Sequence, residues 1–450
     1  MITNDVSSAF TIITNSKLQG DTDKEIIVEY DQNKILMILR NDINNYIKKL
    51  HPKCEIWVNR ILVDEDYWCI NDTDNIKIMY NGVCIYRNKI NDSIVKLPLA
   101  KPMINTYPYF TGLVAILEAY NKGDIWIFNN FILFWMFNFI YFNEYWADFK
   151  FGNEEVQEEF CQQINKKIVY RKDVKNLLEF IIDSINNKKY VFVSIDVFFI
   201  DEWWRKGEEK INTKHQVLVC GYNSTEKKIY VSDFMGNNKY ETVEMSYDDF
   251  VDAYETVDGG NKCLVEFGND IWLLSINEHI TEKIDIQRIY NLCLDSYYGK
   301  DIHYKNYLWW ERKVTDIEYG ICYFDELVRA LSNFYEENYE EFDVRPIHIL
   351  VEFGKVMKKR VKYLLESGLI QKNEKTDKLR EMVSCYLKQS LKMQSLSIKY
   401  YITNNIILIK KIQEMVLLTK ITYKNMLELL ISSIEDSHDV KNMYKDIAIK

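Results

Sequence analysis

The sequence predicts an α+β protein: a strand-rich middle flanked by a small α/β module and an all-helical C-terminal part. Three observations carry that prediction. The stretch His215-Gln-Val-Leu-Val-Cys-Gly221-Tyr222, followed by Tyr230-Val-Ser-Asp233, reads as two short apolar strands joined by a polar turn. Upstream, Tyr190-Val-Phe-Val-Ser-Ile-Asp196 is rich in β-branched and aromatic residues and reads as a buried strand. Downstream, no Gly follows Gly368 and no Pro follows Pro346, so the last part of the chain reads as long helices.

Residues 1–100 form the N-terminal module. Ile35, Ile38, Leu39, Ile43, Tyr46, Ile47 and Leu50 recur at helical spacing, and short strands are expected at Ile56–Val58, Tyr67–Ile70, Ile76–Tyr80 and Val83–Tyr86. Asn81-Gly82 is a type I′ turn signal between the last two. Residues 101–278 form the next unit. Pro108 precedes a helix carrying Leu113, Ile116, Leu117 and Tyr120 on one face, and Asn121-Lys-Gly123 stops it. A second helix near Val174–Ile185 leads into the Asp196 strand, and Ser246 with Asp249 forms the N-cap of a third. Between Asp196 and His215 lies a charged loop holding two adjacent tryptophans, placed to roof a cleft or to pack on the domain surface. Residues 279–450 form the helical unit. Its cluster Lys355, Lys358, Lys359, Arg360 and Lys362 reads as a solvated face, with docking of an acidic carrier domain as the other option.

Composition bounds the function classes. At 450 residues and 47% hydrophobic content the chain has room for two or three domains with real cores. A formal charge of −10 without a basic stripe argues against nucleic-acid binding. Nine scattered cysteines match neither a zinc site nor a secreted disulfide framework; with no signal peptide recognised, they point to a reducing cytoplasm, and no metal or cofactor is expected. The uncharged run Ile125–Phe142 contains Asn129, Asn130 and Asn138 and is short for a bilayer span, so it reads as core helix and loop, with no membrane association.

The chemistry expected of the hairpin comes from its ends. His215 opens one strand and Asp233 closes the other, so antiparallel pairing brings them within hydrogen-bond reach. A carboxylate there fixes the imidazole's tautomer and orientation, the base-plus-orienter half of a nucleophilic site. Taken without further context, such a pair is more often a satisfied structural contact than a catalytic one.

In order and spacing, these pieces resemble the butirosin-biosynthesis H family, over roughly residues 101–440. The resemblance rests on the Tyr190–Asp196 strand, the His215–Asp233 block, the helix capped at Ser246 and the Gly/Pro-poor tail. It implies a papain-like, cysteine-peptidase-type domain followed by a helical domain. It also implies acyl or aminoacyl transfer from a carrier-protein thioester to a small-molecule amine acceptor, in specialised-metabolite (antibiotic) biosynthesis. Carried over, His215 matches the base, Asp233 its orienter and Asp196 a strand-end acid of unassigned role. A carrier protein and the amine are the implied partners, with a homo-oligomer as a further option.

The family's nucleophilic Cys, placed just before the first helix of the domain, has no counterpart here. Pro108 of Asn105-Thr-Tyr-Pro108-Tyr109-Phe-Thr111 stands at that position, structurally apt and chemically inert. Thr111, Cys220, Cys54 and Cys161 are the remaining nucleophile candidates, each with a buried structural role as the simpler reading. Two functions therefore stand side by side: an acyltransferase that displaces or dispenses with the thiol, and a catalytically inactive relative that holds carrier proteins or pathway enzymes. A cleft filled by Tyr107, Tyr109 or Phe110 is the mark of the second.

Overall fold

The computed structural model describes residues 54–58, 61–62, 76–80, 83–87, 94–106, 108–139, 144–149, 161–203, 214–236, 239–257, 270–300, 317–337 and 342–438. The expected helix over residues 35–50 and the strand at Tyr67–Ile70 lie outside them.

In the N-terminal module, β1 (Cys54–Val58), β2 (Ile61–Leu62), β3 (Ile76–Tyr80) and β4 (Val83–Arg87) form a four-stranded sheet in the order β2-β1-β3-β4. Tyr80 pairs with Val83 across the Asn81-Gly82 turn position. The next strand, β5 (Ile94–Lys96), lies on the N-terminal side of the expected boundary at residue 100 but belongs to the main sheet.

That sheet is antiparallel, with β8 (Ile164–Tyr170), β9 (Tyr190–Asp196), β10 (Lys214–Asn223), β11 (Lys228–Phe234), β12 (Tyr240–Ser246) and β13 (Asp270–Ile276) in the order β12-β11-β10-β9-β13-β8. Strand β10 is shared. Its first half pairs with β9 (Lys214↔Asp196 to Val219↔Val191) and its end with β5 (Gly221↔Lys96). A bulge at Cys220 makes that change of partner, and Gly221 permits it. A Cβ on Gly221 would lie 2.3 Å from the Val95 carbonyl oxygen and 2.8 Å from Lys96 Cα. Gly221→Ala is therefore expected to cost about 1–3 kcal/mol through overpacking, read as a lowered denaturant midpoint.

Helices flank the sheet. α1 (Pro108–Ala119) begins at Pro108 as the sequence predicts. α3 (Leu177–Asn186) is capped by Asn176, and α4 (Tyr247–Thr256) by Ser246, which accepts from the Asp249 amide at 3.0 Å. The run that tempts a membrane reading is instead core. It becomes α2 (Gly123–Asn130), a buried turn at 131–133, and the strand β6 (Phe134–Phe139), which pairs with β7 (Glu144–Phe149). Among the described residues no helix is long and apolar enough to cross a membrane.

The helical unit contains α5 (Ile286–Tyr298), α6 (Tyr323–Glu337), α7 (Arg345–Glu366), α8 (Glu374–Thr403) and α9 (Ile407–Ser437). It is not purely helical. β14 (Glu318–Tyr319) pairs with β6. Phe134 inserts its ring among Tyr323, Phe324, Phe353 and Tyr423 at 4.8–6.1 Å. Residues 123–136, expected in the middle unit, thus contribute to the core of the helical one.

The lysine cluster also divides. Lys355, Lys358, Lys359 and Lys362 are exposed, but Arg360 is fully buried, correcting its placement on a solvated face. Its guanidinium donates to the carbonyls of Phe128 (2.8 Å), Phe131 (2.8 Å) and Ile127 (3.3 Å) at the end of α2.

A second buried charge joins the units. The Glu352 carboxylate, fully buried on α7, accepts from the Asn105 amide and the Thr106 hydroxyl, just ahead of α1. His348, one turn earlier, lies 3.3 Å from the same carboxylate and 2.7 Å from Asn105 Oδ1, and Gln394 of α8 meets its Nδ1 at 2.7 Å. Glu352→Ala strands these donors in a buried place. It is expected to cost about 2–4 kcal/mol and to abolish hydrogen-exchange protection at the Asn105 amide.

Candidate active site

The hairpin forms as its pattern predicts, with Asn223 Oδ1 accepting from the Glu226 amide (3.0 Å) to shape the turn between β10 and β11. Strand alternation then puts His215, Val217, Val231 and Asp233 on one side of the sheet. His215 Nε2 lies 3.2 Å from Asp233 Oδ2. The carboxylate is fully buried, whereas the imidazole keeps 32% of its side-chain surface exposed although protein crowds round it. Among the described residues, His215 Nδ1 meets no hydrogen-bond partner.

Electrostatics favour a charged imidazole. Burial works to lower its pKa, but the adjoining Asp233 carboxylate outweighs burial through charge and hydrogen bonding, so the net shift is upward. Trp203 stands beside the ring, centroid to centroid 6.2 Å and tilted 51°. It is held there by a bridge to Met235, with the Gly236 amide donating to Glu202 O at 2.6 Å. Of the two loop tryptophans, Trp203 is thus buried against the base; Trp204 lies outside the described residues. Its contact with His215 was not foreseeable, because eleven residues separate the two in sequence and no periodicity links them.

The other candidates occupy different surroundings. Pro108 supplies the first residue of α1, with Tyr109 following; neither side chain is among those described. Thr111 is fully buried in α1. Asp196 ends β9, 1% exposed, with Oδ1 accepting from the Phe198 amide at 3.0 Å. Cys220 projects away from His215, its sulfur 3.7 Å from both Ser232 Oγ and the Tyr230 carbonyl oxygen. Burial raises its thiol pKa and pushes that of Cys161 to about 12, so neither supplies a thiolate near neutral pH. Cys54 falls on β1, and its side chain is not described. Among the described residues no group of three His, Cys, Asp or Glu side chains is placed to hold a metal ion.

The arrangement can therefore accept a proton at a half-buried imidazole and stabilise the resulting cation with a buried carboxylate. Compared with known proteins, the chain matches no family model and no curated protein.

Proposed function

We propose that this protein transfers an acyl or aminoacyl group from a carrier-protein thioester to an amine, with His215 as general base oriented by Asp233. One observation carries the reading: a half-open imidazole 3.2 Å from a fully buried carboxylate, with its other ring nitrogen unengaged among the described residues. The resemblance to the butirosin-biosynthesis H family adds the substrate class, and with it a papain-like middle domain and a role in specialised-metabolite biosynthesis; the scattered cysteines favour a cytoplasmic setting.

No enzyme thiol enters the chemistry. The neutral amine attacks the thioester carbonyl carbon while His215 Nδ1 takes the proton that the nitrogen sheds. The carbon–sulfur bond breaks, and the carrier's thiolate takes that proton back from the imidazolium, leaving amide, free thiol and neutral His215. Proximity and general-base catalysis supply the acceleration.

Pro108 at the head of α1 favours a second reading, in which the same surface binds a carrier protein without turnover. Intact-mass spectrometry of acyl-loaded carrier proteins, incubated with an amine and either wild-type protein or His215→Ala, separates the two. Amide released by the wild type alone supports transfer. Thioesters untouched by both proteins, with a carrier complex still forming, establish the scaffold.

A further inference from the structure

We propose that the core of the helical unit binds a monovalent anion of chloride size, held by the Arg360 guanidinium of α7 and the Tyr423 and Tyr386 hydroxyls of α9 and α8. Arg360 is fully buried, and among the described residues it makes no ion pair with a carboxylate. Two buried carboxylates of the same unit are engaged elsewhere: Glu326 pairs with Arg329 at 2.8 Å, and Glu352 accepts from Asn105 and Thr106. A guanidinium carries five N–H donors. Nε and Nη2 hold three of them, which go to the Phe128, Ile127 and Phe131 carbonyls. Nη1 holds the other two, and its partner among the described residues is the Met357 sulfur at 3.7 Å, a weak acceptor. The end of α2 supplies a partial negative charge of about one half, so a full positive charge in the core stays incompletely balanced.

Two hydroxyls share this interior. Tyr386 and Tyr423 are fully buried, and among the described residues neither hydroxyl has a partner with hydrogen-bond geometry. Their rings lie 5.9 Å apart, and each packs on Phe353 of α7, at 5.4 and 5.3 Å. Gly354 permits that approach, since a Cβ there would lie 3.2 Å from two Tyr386 ring carbons. The Arg360 charge acts on the Tyr423 phenol, and the Tyr423 phenol acts on that of Tyr386, so the three polar ends form one cluster. The Cys293 thiol of α5 joins it, but burial pushes its pKa to about 12, so it offers no counter-charge near neutrality. Burial raises both phenols as well, which keeps them neutral donors. Ser296 and Ser390 adjoin the phenols, yet their own protons go to the Ile132 carbonyl (3.3 Å) and the Tyr386 carbonyl (3.0 Å).

These groups select the ligand. A guanidinium N–H and two phenol O–H groups are donors in want of an acceptor. A cation is repelled by Arg360, and a neutral molecule leaves its charge unbalanced. One monovalent anion balances that charge and accepts from all three donors through charge-assisted hydrogen bonds. Phe134, Phe353 and Met357 line the same interior and bring no side-chain donors, so an oxyanion such as sulfate would keep oxygens unpaired. A halide has no such demand.

The test uses the full-length protein in urea, with chloride replacing gluconate at constant ionic strength. The wild type is expected to gain stability with chloride, its folded-to-unfolded ratio rising about 100-fold once chloride reaches 100 times its dissociation constant. Tyr423→Phe keeps the ring and removes one donor, so the chloride affinity should fall about tenfold or more, with Tyr386→Phe acting in the same direction. A wild-type midpoint that chloride does not move overturns the site, and so does a response of equal size in Tyr423→Phe. Crystals of the wild type grown in sodium bromide provide an arm that needs no variant. An anomalous bromine peak beside Arg360 Nη1 supports the site; a helical core without one overturns it.

Discussion

Replacing His215 with alanine is expected to lower carrier-dependent amide formation by about 100- to 10,000-fold, the usual contribution of a positioned general base. The pH dependence gives a sharper test. The imidazole pKa is shifted upward by Asp233, so the base form accumulates only above the ordinary value of 6.5. Amide formation should therefore rise with pH through a midpoint above 6.5 and lose that limb in His215→Ala. Stability should run the other way. A pKa raised on folding stabilises the protein fully below the unfolded value and ceases to do so as pH rises through the folded value. Thermal melts of wild type and His215→Gln should thus differ most in acid and converge toward alkaline pH. A gap that widens with pH would contradict the assigned pair.

Replacing Arg360 with methionine is expected to cost about 3–5 kcal/mol, comparable to breaking a buried ion pair from one side. Among the described residues Arg360 has no carboxylate partner; it uses the carbonyls of Ile127, Phe128 and Phe131, the negative end of α2. Burial lowers the guanidinium pKa to about 10, so it stays charged near neutrality and its hydrogen bonds are charge-assisted. Methionine fills part of the volume but leaves the carbonyls unpaired, which is why apolar replacement fails here. Urea denaturation measures the loss. Arg360→Lys should recover only part of it, because one ammonium cannot reproduce the fork that meets Phe128 and Phe131 together. A loss below about 1 kcal/mol for the methionine variant would show the carbonyls to be satisfied otherwise.

These two residues also mark how far local pattern reached. His215 and Asp233 were legible because a strand repeats every two residues and the turn between them carries its own signals. Ser246 and Pro108 were legible as helix starts for the same reason, since caps act within one turn. Arg360 was not. Four exposed lysines on the same helix gave it the look of a solvated residue, and only contact with α2, more than two hundred residues earlier, reversed that. The Ile125–Phe142 run was apolar enough to be read as core, yet helix and strand are hard to separate in a short apolar stretch, and β6 went unseen.

The sequence by itself thus determined the α+β class, the hairpin with His215 and Asp233 at its ends, the capped helices and the long helical tail. Each of these depends on neighbours a few residues away, through alternation, capping and turn chemistry. The tertiary structure alone decided that β5 joins β10, that residues 123–136 contribute to the helical core, that Trp203 stands beside His215, and that Glu352 and Arg360 are buried. Those outcomes depend on desolvation and on partners distant in the chain. A polar side chain is stable in the interior only where such partners meet it.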